Sequence, residues 1–168
     1  DDAERMDKVA EKLKAASPSG VSPEYARALT QITSLLVRRR VLQPALALLQ
    51  DQEVIWRQLD DMNGLQQCLY NQGDTLRAMG QHAAAIERWR VQEELCQRNG
   101  LRHGLAMALL CQGSAWSDLG NDALAYQLLT KAQAIFRDLQ DPKGFALCLT
   151  NLSVILANKR DFDLARKV

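Results

Sequence analysis

The chain repeats itself every 40 residues. Gly64, Gly104 and Gly144 are spaced by that interval, as are Ala45, Ala85, Ala125 and Ala165, and Leu29, Leu69, Leu109 and Leu149. Gly80 and Gly120 keep the same step, as do Leu36, Leu76, Trp116 and Leu156. Trp56 and Phe136 hold the register with Cys96 between them. A fixed period of this length marks a solenoid, in which each unit buries its apolar face only by stacking on its neighbours. Such an architecture favours binding over catalysis.

Each unit reads as two helices. In the unit that opens at Gly64, Leu65, Leu69, Leu76 and Met79 recur at helical spacing over roughly 65 to 79, with small Gly73 on the same side. Gly80 stops that helix in the manner of a C′ glycine. A second helix follows over roughly 82 to 98, with Ala85, Ile86, Trp89 and Cys96 as its stripe and Asn99-Gly100 as its stop. Upstream, Ser22-Pro23 reads as an N-cap followed by proline in the first turn, with helices near 23 to 39 and 43 to 58. Downstream, Asn121 or Asp122 caps one helix and Asp141-Pro142 opens the next, expected over roughly 143 to 159, after which Asp161 opens another. The repeats are thus expected at about 23–61, 62–100, 101–141 and 142–168, the last incomplete, within an array spanning 21–168. Residues 1–20 read as the B helix of a preceding repeat, or a capping helix, plus a turn, because Met6 and Val9 fall on Leu46 and Leu49 when shifted by 40. Both edges therefore look cut, as expected of a fragment of a longer array.

Aromatic residues make up only 5% of the chain, so leucine and alanine must fill most of the core, which suits closely packed helices. The formal net charge of +1 supplies no bulk field for nucleic acid. No apolar run reaches the length of a membrane span, and Asp1-Asp2-Ala3-Glu4-Arg5 has no signal-peptide character, so a cytoplasmic location is expected. Cys68, Cys96, Cys111 and Cys148 form no metal-ligand spacing and read as structural thiols. No phosphate-binding glycine loop, zinc-protease motif or nucleophile elbow occurs. His82 and His103 stand near helix starts without a nucleophile in view. Neither an enzyme activity nor a cofactor is expected. Arg38-Arg39-Arg40 reads as the basic end of a helix, stabilised by the helix dipole.

On these residues the chain resembles the tetratricopeptide repeat family, whose helix A carries leucine, a small residue and then a bulky one, and whose helix B carries alanine and an aromatic. One unit supplies Leu69, Gln72-Gly73, Leu76, Ala85 and Trp89. The next supplies Leu109, Gln112-Gly113, Trp116, Ala125 and Leu129, and the last supplies Leu149, Leu152-Ser153, Leu156 and Ala165. The 40-residue period is similar to the long-repeat branch, which includes the Leu-Gly-Asn repeat adaptors, the kinesin light chains and the sensor arrays of large bacterial signalling ATPases. The Leu-Gly-Asn positions themselves read Gln72-Gly73-Asp74, Gln112-Gly113-Ser114 and Leu152-Ser153-Val154. The resemblance implies an all-α, right-handed superhelical solenoid of antiparallel helix pairs, with a concave groove lined by the A helices.

Opposite the packed positions, the A helices offer Arg27, Thr30, Gln31, Ser34 and Arg38, then Gln67, Tyr70, Asn71, Asp74 and Arg77. The third and fourth units offer Met107, Leu110, Cys111, Ser114 and Ser117, then Leu147, Thr150, Asn151, Val154 and Asn158. The early half is basic. The later half is apolar, and either marks a binding surface or packs against adjacent A helices. The expected function is protein–protein interaction, with a partner peptide or helix whose acidic part faces Arg27, Arg38 and Arg77 and whose apolar part faces Met107, Leu110 and Leu147. The resemblance implies that Asn71 and Asn151 hydrogen-bond its backbone. A second expectation is a sensor or autoinhibitory segment of a larger signalling regulator, an ATPase or a protease. Open repeat edges add self-association, while nucleic acid and membrane are not expected partners.

Overall fold

The structure, a computed structural model, describes the backbone of residues 21–165 and side-chain surroundings as far as 157. The expected helix within residues 1–20 lies outside the described residues. Among the described residues there are seven α-helices and no strand. They are α1 (Pro23–Arg38), α2 (Leu42–Gln58), α3 (Met62–Ala78), α4 (His82–Arg98), α5 (Arg102–Asp118), α6 (Asp122–Asp138) and α7 (Pro142–Ala165). Consecutive helices pack as hairpins, α1 on α2, α2 on α3, α5 on α6 and α6 on α7. The fold is an all-α solenoid of helix pairs, in which α1, α3, α5 and α7 are A helices and α2, α4 and α6 are B helices. Two compact units divide within α4, one ending at Arg88 and the other beginning at Trp89.

The backbone carries a period half that of the sequence. Positive φ occurs at Arg40, Asp60, Gly80, Gly100, Gly120 and Gln140, one residue in every 20. Each follows a helix end, and the next residue's N–H donates back to the carbonyl five positions before it. Val41 thus bonds Leu36 (2.9 Å), Asp61 bonds Trp56 (3.2 Å), Gln81 bonds Leu76 (2.9 Å) and Asn121 bonds Trp116 (2.8 Å). This is the Schellman closure, which satisfies carbonyls that a helix end would otherwise orphan. Every helix from α2 to α6 is 17 residues long, so a three-residue turn completes each half-period. Glycine takes the left-handed conformation freely, but arginine and glutamine carry a Cβ that resists it. Arg40→Gly is therefore expected to raise stability by about 1 kcal/mol, read as a higher urea midpoint at unchanged slope.

The expected caps form. Ser22 accepts from the Tyr25 N–H (3.1 Å) ahead of Pro23. Asn121 accepts from Leu124 (3.2 Å), and Asp141 accepts from Lys143 (3.0 Å) and Gly144 (3.1 Å). The hydrogen bond from the Gly144 N–H, then that from Lys143, outweighs burial and holds the Asp141 carboxyl below the usual carboxylate range.

Gly64 and Gly144 are places where one helix meets an aromatic ring of the helix before it. A Cβ at Gly64 would overlap the Trp56 indole, and one at Gly144 would overlap the Phe136 ring. A Cβ on Gly113 would lie 2.8 Å from Leu129 Cγ, so α5 and α6 touch almost backbone to side chain. Trp89, Phe136, Leu29, Leu49, Leu65, Leu69 and Leu129 are fully buried. The four cysteines are free and buried, as structural thiols.

The last helix departs from expectation. Its end was expected near 159, with a new helix at Asp161, yet α7 runs on to Ala165. Residues 158–161 contain neither glycine nor proline, so no residue there forces a stop. With no B helix after α7 among the described residues, Leu149 and Leu156 are about half exposed, whereas Leu29, Leu36, Leu69 and Leu109 are buried.

Candidate functional site

In the first unit, α1 and α3 frame a cleft of about 230 Å³ whose floor is Leu49 of α2. Its walls are Thr33, Ser34, Val37 and Arg38 on one side and Asn71, Asp74 and Thr75 on the other. The wall residues recur at helical spacing, which is why one face of each A helix delivers them together. Thr33 and Ser34 donate to the Thr30 carbonyl (3.0 and 2.8 Å), and Thr75 donates to the Asn71 carbonyl (2.8 Å). Their hydroxyl hydrogens are thus occupied, while the oxygens keep accepting capacity.

The charges around the cleft are not equivalent. Arg27 is exposed and pairs with Glu24 on its own helix (3.1 Å). Arg77 lies 3.9 Å from Asp74. Arg38 makes no side-chain hydrogen bond or ion pair among the described residues, although it lines the cleft. Asn71 uses its carbonyl oxygen to accept from Gln67 (3.3 Å), and no described group accepts from its amide hydrogens. The cleft therefore holds one uncommitted guanidinium and one uncommitted amide donor. Of the expected site residues, the structure brings together Arg38, Asn71 and Asp74. It leaves Gln31 exposed outside the cleft and half-buries Tyr70.

The second unit's A helices meet expectation only in part. Leu110 and Cys111 are each 8% exposed, so they belong to the core rather than to a ligand surface. α5 also approaches α7. Met107 and Ser114 are half-buried, and Leu147 and Val154 are each 50% exposed. The Asn151 amide donates to the Leu147 carbonyl of its own helix (2.9 Å), so that hydrogen is not open to a ligand as expected. The Asn158 side chain lies outside the described residues.

Within the core of each unit is a series of polar side chains that the periodic reading overlooks. Gln52, Gln72, Gln92 and Gln112 stand 20 residues apart and are all buried. Gln72 donates to the Leu49 carbonyl (3.1 Å) and to Glu53 (2.9 Å), and Gln112 donates to Glu93 (2.8 Å). Gln52 donates to the Ala26 carbonyl (2.6 Å) and to Thr30, and Gln92 to the Gly104 carbonyl (3.4 Å). Each glutamine ties one helix to a neighbour. The 20-residue spacing was visible in the sequence, but glutamine in a core position carries no hydrophobic signal. Burial would raise the Glu53 carboxyl's pKa, but hydrogen bonds from Arg57 and Gln72 and the charges of Arg57 and Arg88 outweigh it and hold the pKa low.

No group of three metal-ligating side chains occurs among the described residues. Burial and the nearby Glu53 push the Cys68 thiol up to about 12, and burial pushes Cys96 and Cys148 up to about 11, so these thiols stay protonated and weakly nucleophilic. No described helix is long and apolar enough to cross a membrane.

No protein-family model matches the chain, and no curated protein matches it in sequence. Its fold does match solved structures. BtubC (BKLC) from P. vanneervenii superposes with a TM-score of 0.77 at 18% identity, over 96% of this chain and 66% of that one. The apo form of RapI superposes with a TM-score of 0.82 at 16% identity, over 94% of this chain and 57% of that one. The chain thus spans less than two thirds of either. These likenesses establish a tetratricopeptide-like helical repeat fold.

Proposed function

We propose that this chain is a protein-interaction module whose first unit binds an acidic peptide segment in the cleft between α1 and α3. The observation that carries the reading is the uncommitted Arg38 guanidinium beside the open amide of Asn71. A guanidinium matches a carboxylate in geometry and charge, and a partly desolvated pair is stronger than one in open water. Asn71 donates to a backbone carbonyl of the bound segment, while Asp74 accepts one of its N–H groups. Arg27 and Arg77, already paired, contribute less than Arg38.

Peptides selected on the chain from a displayed random library provide the test. Affinity of the recovered acidic peptide is measured for the unchanged chain, for Arg38→Glu and for Arg98→Glu, a control whose side chain is 79% exposed outside the cleft. The expected loss is about tenfold or more for Arg38→Glu, equivalent to about 1.4 kcal/mol, with little change for Arg98→Glu. Equal affinities for all three would remove the cleft from the site.

A further inference from the structure

The cleft between α1 and α3 carries both signs of charge. Arg38 stands on the α1 wall and Asp74 on the α3 wall, over the apolar surface of Val37 and the Leu49 floor. Among the described residues the two do not pair with each other. The 40-residue period explains why. Asp74 is the repeat equivalent of Ser34, and Arg38 lies four residues beyond Ser34. Arg38 is therefore about 6 Å further along its helix than the level of Asp74, at about 1.5 Å per residue. Two helices flanking a cleft have axes no closer than about 8–10 Å, so the two backbones are at least about 10 Å apart. The charges stand as a dipole across the cleft. Asp74 is loosely held: Arg77 approaches it at 3.9 Å, and the two side chains are 39% and 48% exposed, so water weakens that pair. No described group donates a hydrogen bond to the Asp74 carboxylate.

We propose that the segment this cleft takes is one of mixed charge, in which an acidic residue and a lysine or arginine stand two positions apart. The proposal rests on the reading of the cleft as a peptide site and adds the second charge to it. Arg38 takes the carboxylate, and Asp74 takes the cation. In an extended segment, residues i and i+2 point the same way and lie about 6.5 Å apart, and the long stem of a lysine or arginine spans the remaining distance. That stem is apolar, and Val37 and Leu49 offer it an apolar bed while the charged head reaches Asp74. The Asp74 carboxylate has capacity for this cation besides a backbone N–H, since its two oxygens offer about four acceptor sites. A segment of negative charge alone satisfies Arg38 but meets Asp74 as a like charge. One carrying both signs is attracted by both walls, and the order of its charges fixes the direction in which it crosses from α1 to α3.

The test is selection of peptides from a displayed random library on the 168-residue chain, on Asp74→Asn and on Arg38→Gln, with each recovered pool sequenced. Both substitutions keep a polar side chain at a cleft wall, and urea denaturation confirms that each variant is folded. The unchanged chain is expected to enrich an acidic residue with a lysine or arginine two positions away. Asp74→Asn should keep the acidic preference and lose the basic one, and Arg38→Gln should do the reverse. One recovered peptide is then remade with its basic residue changed to glutamine. Its affinity should fall about threefold to fivefold on the unchanged chain, the size of a partly exposed ion pair, and hardly at all on Asp74→Asn. An acidic preference without a basic one on the unchanged chain, or a basic preference that persists in Asp74→Asn, would overturn the mixed-charge proposal and leave Arg38 as the partner of the acid. An acidic preference missing from the unchanged chain's pool, or persisting in Arg38→Gln, would instead overturn the reading of the cleft, and this proposal with it.

Discussion

Phe136→Ala is expected to cost about 3–5 kcal/mol of stability. The ring is fully buried at the end of α6, and it fills the space that Gly144 leaves open on α7. Removing it forfeits both the transfer energy of an aromatic side chain and the contacts that lined it, because neighbouring helices collapse only partly into the void. The converse change, Gly144→Ala, is expected to cost about 1–3 kcal/mol through overpacking against that ring. The two effects are not independent. In the double variant the new methyl enters the space the ring vacated, so its cost should fall below the sum of the single costs. Urea denaturation of all four chains measures this coupling. Strict additivity would mean that the glycine is not there to admit the ring.

The second large effect lies behind the cleft. Glu53→Ala is expected to cost about 1–3 kcal/mol, because Gln72 and Arg57 lose a part-buried acceptor at once and Arg88 loses a counter-charge at 3.7 Å. The same group gives stability a pH dependence. Its carboxyl ionises more easily in the folded chain than in the unfolded one. Its contribution is therefore complete above the unfolded carboxylate pKa, and is lost as pH falls through the lowered folded value. Below the ordinary carboxylate range the unchanged chain should lose stability faster than Glu53→Gln does. Parallel curves of urea midpoint against pH for the two chains would show that Glu53 is not the group responsible.

How much of this was legible in the sequence depended on what each position needs. Register, helix pairs and caps were readable, because Gly64, Ala85 and Asp141 each do a job that few other residues can. The half-period of the turns was not, because Arg40, Asp60 and Gln140 occupy left-handed positions without glycine's signature. Their conformation is imposed by the helices on either side. The glutamine ladder escaped for a related reason, since a buried amide is recognisable only from the carbonyls and carboxylates that meet it. At the site, helical spacing placed Arg38, Asn71 and Asp74 on facing walls. It could not reveal that Arg27 and Arg77 have intrahelical partners, nor that Leu110 is buried while Leu147 stays exposed. Those distinctions rest on neighbours in space, which helical spacing alone does not show.

The central claim is that recognition happens on the A-helix wall of the first unit. Its most direct test is a backbone amide chemical-shift titration of the isotopically labelled chain with the selected acidic peptide. Saturable shifts are expected at Thr33, Ser34, Arg38, Asn71, Asp74 and Thr75, and these should vanish in Arg38→Glu while the rest of the spectrum is retained. Shifts confined to α2 and α6, with these six residues silent, would contradict it.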